Sequence, residues 1–319
     1  VENDLTWGLP VVLYLFLAGV GAGAVTVSAS VLLRGGDYSG GEYFRLARYG
    51  AFIGPIPVIV GTCLIIFELG RWDRALNLFK VINLSPMSIG SWFLGLFIIT
   101  SLLYALVFLP SLMPRFAWLF KRLAPGLQLL AWINVPMGIG VAVYTGILLG
   151  AMPSRPLWNS PILALLFLIS ALSTGVATII LGRALCHEKL TDSTAEHRYH
   201  ETGYMLTSAD LLLIGFEIMS IFLFIMFAHL TIGNLKYAMA IILPGGEMAG
   251  MFWLWVVIIG LVVPGLMELI YVVPKLVYQS RFRMPRISEA MISLAVLAGG
   301  FMLRYVIVVA GQMTGPKGI

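Results

Sequence analysis

LPVVLYLFLAGVGAGAVTVSASVLL, residues 9–33, runs for twenty-five positions without a single charged side chain. As an α-helix it would be about 38 Å long, more than the roughly 30 Å hydrocarbon thickness of a bilayer. The run is too long, and too poor in basic residues at its start, for a secretory signal peptide, and it reads as a retained helix. Seven further apolar runs follow, at about 49–69, 88–109, 127–149, 162–185, 205–230, 251–273 and 288–310. The composition agrees: 60% of the 319 residues are hydrophobic and 11% charged, and the mean hydropathy is +0.96. The fold class expected is therefore all-α integral membrane, with eight transmembrane helices. Eight spans consume roughly 160 to 190 positions, so no sizeable extramembrane domain fits. A self-contained soluble enzyme with its own nucleotide, haem or iron-sulfur domain is excluded.

Orientation follows from the twenty Lys and Arg residues. Thirteen, among them Arg34, Arg45, Arg115, Arg183, Lys189 and Arg283, fall on one side, and six, among them Arg71, Arg155 and Lys236, on the other. By the positive-inside rule the first side is the cytoplasm. Both termini then lie on the outer, periplasmic side of a bacterial inner (cytoplasmic) membrane. On that side residues 71–82 read as a short interfacial helix, with Trp72, Leu76 and Phe79 on one face. A faint repeat aligns Pro10, Phe16 and Leu17 with Pro161, Phe167 and Leu168. It favours two side-by-side four-helix bundles, residues 1–150 and 151–319.

A charge at mid-span costs about 2.5–3.5 kcal/mol on the gentlest scale, so an ionisable residue there needs a partner, water or a task. Glu68, Asp210, Glu217, Glu268 and Arg304 qualify. Counted from the ends of their spans, Glu68, Arg304, Tyr14 and Tyr144 fall within roughly 1.5–9 Å of the outer boundary. A carboxylate, a guanidinium and two phenols in one layer suit the oxygens and protons of a quinone head group. The same residues also suit an Arg304–Glu68 ion pair with the tyrosines in the interfacial aromatic belt. Asp210 and Glu217 share a helical face about 10 Å apart in height, and Glu268 lies about five residues from the cytoplasmic end of its span. These three form either the lower half of a proton route or a hydrogen-bonded lock within the second bundle.

Histidine is scarce in the spans. His187, His197 and His200 fall after the fifth span and His229 at a helix end, so no pair can sandwich a haem in the membrane. Cys63 and Cys186 form no CxxC pair, which argues against a cluster or zinc site and leaves both as buried apolar fillers. Gly19, Gly21 and Gly23 alternate along the first span and permit close helix approach.

Several motifs carry a resemblance: Trp7-Gly8-Leu9-Pro10, Tyr14-Leu15-Phe16-Leu17, Phe67-Glu68, Ser85-Pro86-Met87-Ser88, Tyr144-Thr145-Gly146, Arg155-Pro156-Leu157-Trp158-Asn159 and Leu303-Arg304 with Ala310-Gly311-Gln312. In order and placement they resemble the NrfD/PsrC family, the membrane subunits of polysulfide-reductase and nitrite-reductase type. The resemblance implies a quinone- or quinol-binding anchor without haem and with no iron-sulfur cluster of its own, menaquinone being the favoured head group. It implies an iron-sulfur (ferredoxin-like) subunit on the outer face, which serves a molybdopterin catalytic subunit or a multihaem cytochrome. Carried over by motif, the pocket falls on Glu68 and Tyr144, with Tyr14, Arg304 and Gln312 beside them. Family members can carry a pocket histidine in the first span, where this sequence offers Tyr14.

The expected role is exchange of electrons between the quinone pool and that outer subunit in a respiratory complex. Tyr14 and Tyr144 hold the quinone oxygens, Glu68 exchanges protons and Arg304 polarises the site. Two rival classes remain at this stage. A secondary transporter also has repeats and buried acids, but tends to place its site at the midplane on broken helices. A structural anchor without quinone chemistry has the same spans.

Overall fold

The computed structural model describes residues 7–36, 41–68, 85–111, 113, 115, 118, 122–186, 193–231 and 233–314. The interfacial helix expected at 71–82 lies outside them. Among the described residues the chain is helical and contains no strand. The helices are α1 (Leu9–Gly35), α2 (Glu42–Ile53), α3 (Pro55–Glu68), α4 (Pro86–Phe108), α5 (Leu127–Gly150), α6 (Pro161–Leu185), α7 (Ser193–Leu230) and α8 (Asn234–Met239). A π-helical stretch (Met251–Val262) then runs into α9 (Val263–Tyr278), and α10 (Arg286–Met313) ends the fold. Eight helical spans are long and apolar enough to cross a membrane, α2 with α3 making the second and the π-helical stretch with α9 the seventh. The chain is a multi-pass membrane protein.

Local chemistry sets where these spans start and bend. Pro10, Pro86 and Pro161 occupy the first turns of their helices, where a missing N–H would have had no intrahelical partner. Ser85 caps α4 by accepting from Ser88 N–H at 3.3 Å. Gly36 closes α1 in the left-handed region, at φ 63°. Pro55 interrupts the second span, yet Gly54 N–H still reaches Gly50 O at 2.9 Å, so the axis is nearly continuous. In the seventh span Pro264 lies just beyond the π-helical stretch, where the proline ring and its absent donor unsettle the preceding turns.

Two four-helix bundles result. α1 lies against α2, α3 and α5, and α4 closes that ring against α3 and α5. In the second, α6 contacts α7 and α10, and the seventh span closes against α10 and α7. The bundles meet where α1 crosses α6. A Cβ on Gly23 would lie 1.8 Å from the Ala171 carbonyl oxygen, and one on Gly175 would lie 2.3 Å from Gly23 C. The two backbones are therefore in contact at the seam, which only small residues allow in hydrocarbon.

Three sequence expectations change. α7 begins at Ser193, twelve residues before its apolar run, so His197 and His200 stand on a helix and not in a loop. The physical reason is that hydropathy marks the hydrocarbon-immersed part of a helix, while the helix continues into water as an amphipathic turn. Similarly, the second span starts at Glu42. Cys63 and Cys186 are exposed rather than buried, one on the outside of α3 and the other just past the end of α6.

Candidate functional site

Near the end of the first bundle that carries the N-terminus, α1 supplies Tyr14 and α5 supplies Tyr144. Tyr14 is buried, and the two phenols are close enough to interact electrostatically. Tyr144 lies flat on α4, where a Cβ on Gly90 would fall 1.7 Å from its ring and 2.2 Å from its hydroxyl. Gly61 on α3 brings its backbone against Tyr14, and Gly21 on α1 meets Val58 and Gly54, so α1 and α3 run antiparallel. Glu68 sits seven residues beyond Gly61, on the same face of α3 and about 10 Å nearer the membrane surface than Tyr14. The Glu68 side chain lies outside the described residues. Neither phenol donates to or accepts from another described residue, which leaves two hydroxyl donors uncommitted at the meeting of α1, α3, α4 and α5.

Arg304 points elsewhere. Fully buried on α10, it donates from Nη1 to Ser170 Oγ and to Gly300 O, each at 2.8 Å, and from Nη2 to Phe167 O at 3.5 Å. Its guanidinium touches Gly19 of α1 and stacks over Phe167 and Phe16, 5.3 and 5.9 Å from their ring centres. Gly19 is five residues deeper along α1 than Tyr14. Among the described contacts none joins Arg304 to Tyr14 or Tyr144; its charge partner is Glu217 of α7, which also hydrogen-bonds Ser170.

One turn along α6 from Ser170, Ser173 Oγ donates to Asp210 Oδ1 at 2.8 Å. Asp210 faces Glu268 of α9, although Asp210 Oδ2 and both Glu268 oxygens make no hydrogen bond of good geometry. Ser170 and Ser173 thus tie an Arg304–Glu217 pair to an Asp210–Glu268 pair within the second bundle. No cation accompanies the latter pair among the described contacts. Two carboxylates this close in a dry interior repel too strongly for both to be ionised, so the pair holds at least one proton.

Gln312 occupies a third place. Its amide is engaged with Trp7, accepting from Trp7 N–H at 2.8 Å and donating to Trp7 O at 3.0 Å. Arg155 donates to the Gln312 carbonyl at 2.5 Å, Trp158 Nε1 donates to Ile307 O at 2.8 Å, and Trp7 stacks on Trp158 at 5.2 Å. These contacts fasten the start of α1, the turn at 152–159 and the end of α10 into one rigid cap.

At the opposite end lies a buried cluster that sequence reading missed. Arg183 of α6 pairs with Glu289 of α10 at 2.8 Å, with side-chain exposures of 4% and 1%. Tyr199 OH donates to the other Glu289 oxygen at 2.9 Å, and Arg183 lies over the Tyr199 ring, 4.2 Å from its centre. The sequence signal was faint, since both charges sit in terminal turns and pass for water-facing ones. What marks them is that they lie inside helices longer than the apolar runs.

The comparisons with known proteins agree with this architecture. The family model described as "Polysulphide reductase, NrfD" matches residues 1–316. Among similar proteins, "Protein NrfD" of Escherichia coli is 31% identical over 98% of this chain and 96% of its own length. A membrane-subunit relative from Wolinella succinogenes, named as one of the chains of a polysulfide reductase, is 31% identical over 97% of this chain and 95% of its own. "Protein NrfD homolog" of Haemophilus influenzae is 28% identical over 98% and 96%. A family match across almost the whole chain, with end-to-end relatives above 30% identity, makes this protein a member of the NrfD family of polysulphide-reductase membrane subunits.

Proposed function

We propose that the chain is the membrane anchor and quinone- or quinol-binding subunit of a respiratory oxidoreductase complex, menaquinone being the favoured head group. The supporting observation is the pair of uncommitted phenols, Tyr14 and Tyr144, held side by side in the first bundle against the α4 backbone at Gly90. When bound there, the quinone/quinol couple exchanges two electrons and two protons. Tyr144 and Tyr14 bind and orient the head group by donating to its oxygens. Glu68, nearer water on the Gly61 face of α3, exchanges protons with the outer aqueous phase. Arg304 contributes through the second bundle by holding Glu217, and Gln312 fixes the cap above the site.

The Wolinella relative is named as one component of a polysulfide reductase, which supports partner subunits for this protein as well. The proposed partner is an iron-sulfur subunit on the outer face with a molybdopterin or multihaem catalytic subunit behind it. It docks over residues 71–87 and 152–159, the second of which the Arg155, Trp158 and Gln312 contacts hold rigid. The test is Tyr144→Phe in the assembled complex. Quinone-linked turnover should fall by at least about ten-fold, the size of one lost hydrogen bond of about 1.4 kcal/mol to the head group. Dye-linked turnover, which bypasses this chain, reports that the partners remain assembled. Unchanged quinone kinetics would remove the site. An isolated chain that transports solute would instead support a transporter, and a partner-bound complex without quinone a bare anchor.

A second reading concerns the second bundle, where Asp210, Glu217 and Glu268 form a proton route. The serine-linked series of buried carboxyls supports it. In proteoliposomes Glu217→Gln should lower proton movement per electron, and wild-type movement in that variant would dispose of the route.

A further inference from the structure

The polar line in the second bundle continues past Asp210 and Glu268 toward the end carrying the α6–α7 connection, which the Lys and Arg bias assigns to the cytoplasm. There an open recess of about 340 Å³ is lined by Glu196, His200, Glu201, Arg281 and Arg283. His200 has one edge in this recess, with Glu196 3.9 Å from Nε2. Its other ring nitrogen, Nδ1, is buried without a hydrogen-bond partner among the described residues. Behind it stands Glu289, close enough to act on His200 electrostatically, as do Arg183 and Arg283. One turn beyond Glu289 on α10, Ser293 is buried and its Oγ also lacks a partner.

Along this line six buried atoms have no hydrogen-bond partner among the described residues: His200 Nδ1, Ser293 Oγ, Asp210 Oδ2, both Glu268 oxygens and Arg304 Nε. Each such atom costs about 1–3 kcal/mol if left dry, and ordered water is the usual remedy. They are not scattered. They fall on facing helices between the recess and Arg304, and Glu289 to Arg304 spans fifteen residues of α10, about 22 Å.

A purely structural lock explains less of this. Arg183, Glu289 and Tyr199 satisfy most of one another's hydrogen bonds, and a lock needs nothing further along the line. It gives no reason for open acceptors at Asp210 and Glu268 or for an open donor at Ser293. A buried ion pair is also often no more stabilising than well-packed apolar side chains.

We propose that the recess at His200 is the mouth through which protons enter the second bundle, and that Glu289, clamped by Arg183 and Tyr199, is the first carboxyl to carry them inward. The inference rests on the proton-route reading above and gives it an inlet. Protonated His200 passes its proton to the Glu289 carboxylate, which neutralises the acid and loosens Oε1 from Arg183. His200 recovers a proton from the water of the recess. Glu289 passes its proton by way of Ser293 and intervening water to the Asp210–Glu268 pair, and the Arg183 pair re-forms on the ionised Glu289. The clamp thereby restricts the inlet to one proton at a time.

The experiment uses the whole complex in sealed liposomes containing a pH-sensitive dye, driven by a quinol analogue, with protons moved per electron as the readout. Glu289→Gln should lower that ratio about ten-fold or more, and His200→Gln, at the recess, about five-fold, in line with loss of a proton-transfer group. Glu289→Asp should restore at least about half of it. A wild-type ratio in Glu289→Gln overturns the inference, even where that variant melts earlier, since it would then be a lock. Should Glu289→Gln fail to assemble, His200→Gln decides alone, and a wild-type ratio there overturns the inference. A wild-type complex that turns over with quinol but moves no protons overturns the inlet and leaves the quinone site standing. One that does not turn over with quinol at all removes both.

Discussion

The two bundles have the same architecture and opposite interiors. All six charged side chains that are buried among the described residues, Arg183, Asp210, Glu217, Glu268, Glu289 and Arg304, belong to the second. The first is held by neutral polar groups. Ser28 donates to Ala47 O at 2.5 Å and lies 3.1 Å from Tyr104 OH, while Thr100 and Asn134 hydrogen-bond each other at 3.1 Å. A neutral interior with two idle phenols can grip and release an uncharged ring without large electrostatic rearrangement. An interior with two cations and four acids has a charge state that must change with its protons. Dividing labour between bundles keeps the field of moving protons away from the place where a ligand must bind and leave.

The sharpest way to break this contrast is to remove Arg304. It is fully buried with Glu217 as its charge partner, so Arg304→Met leaves an uncompensated carboxylate. The expected cost is about 3–5 kcal/mol, and Arg304→Met combined with Glu217→Leu should recover most of it. Equilibrium unfolding in mixed micelles measures both. A loss below about 1 kcal/mol for Arg304→Met would mean that the second bundle treats its charges as the first treats its hydroxyls.

Much of this was legible in the sequence. Long uncharged runs give eight spans, because hydrocarbon leaves a backbone few alternatives to helix. The same energetics singled out Arg304, Asp210, Glu217 and Glu268, each of which is buried. Pairing was less legible. Depth counted from span ends placed Arg304 in the layer of Tyr14 and Tyr144, but depth carries no azimuth, and the structure turns Arg304 across α6 to Glu217. Glu217 was read as part of a lower series because the true start of α7, at Ser193, does not coincide with its apolar run. Arg183 and Glu289 escaped for a related reason, since a charge in a terminal turn looks the same whether it meets water or a neighbouring helix. Serines such as Ser170 and Ser173, which tie the acids together, carry no energetic penalty that would draw notice in a one-dimensional reading.

The smallest expected effect tests the neutral half of the contrast. Asn134 is buried in α5 and donates to Thr100 O at 3.2 Å and to Leu130 O at 2.9 Å, while accepting from Thr100 Oγ1. Only its bonds to Thr100 cross between helices. An interhelical hydrogen bond within a membrane protein contributes about 0.6 kcal/mol on average and about 1.7 at most, because the unfolded polypeptide in lipid also finds partners. Asn134→Val should therefore destabilise the protein by roughly that amount, Thr100 Oγ1 keeping its bond to Phe97 O. Asn134 lies ten residues before Tyr144 on α5, about 15 Å away along the axis, so the substitution should leave the affinity for a quinol analogue where it was. A loss of several kcal/mol would show that the first bundle too depends on a coupled polar network. Its phenols would then belong to a supporting lattice instead of standing ready for a ligand.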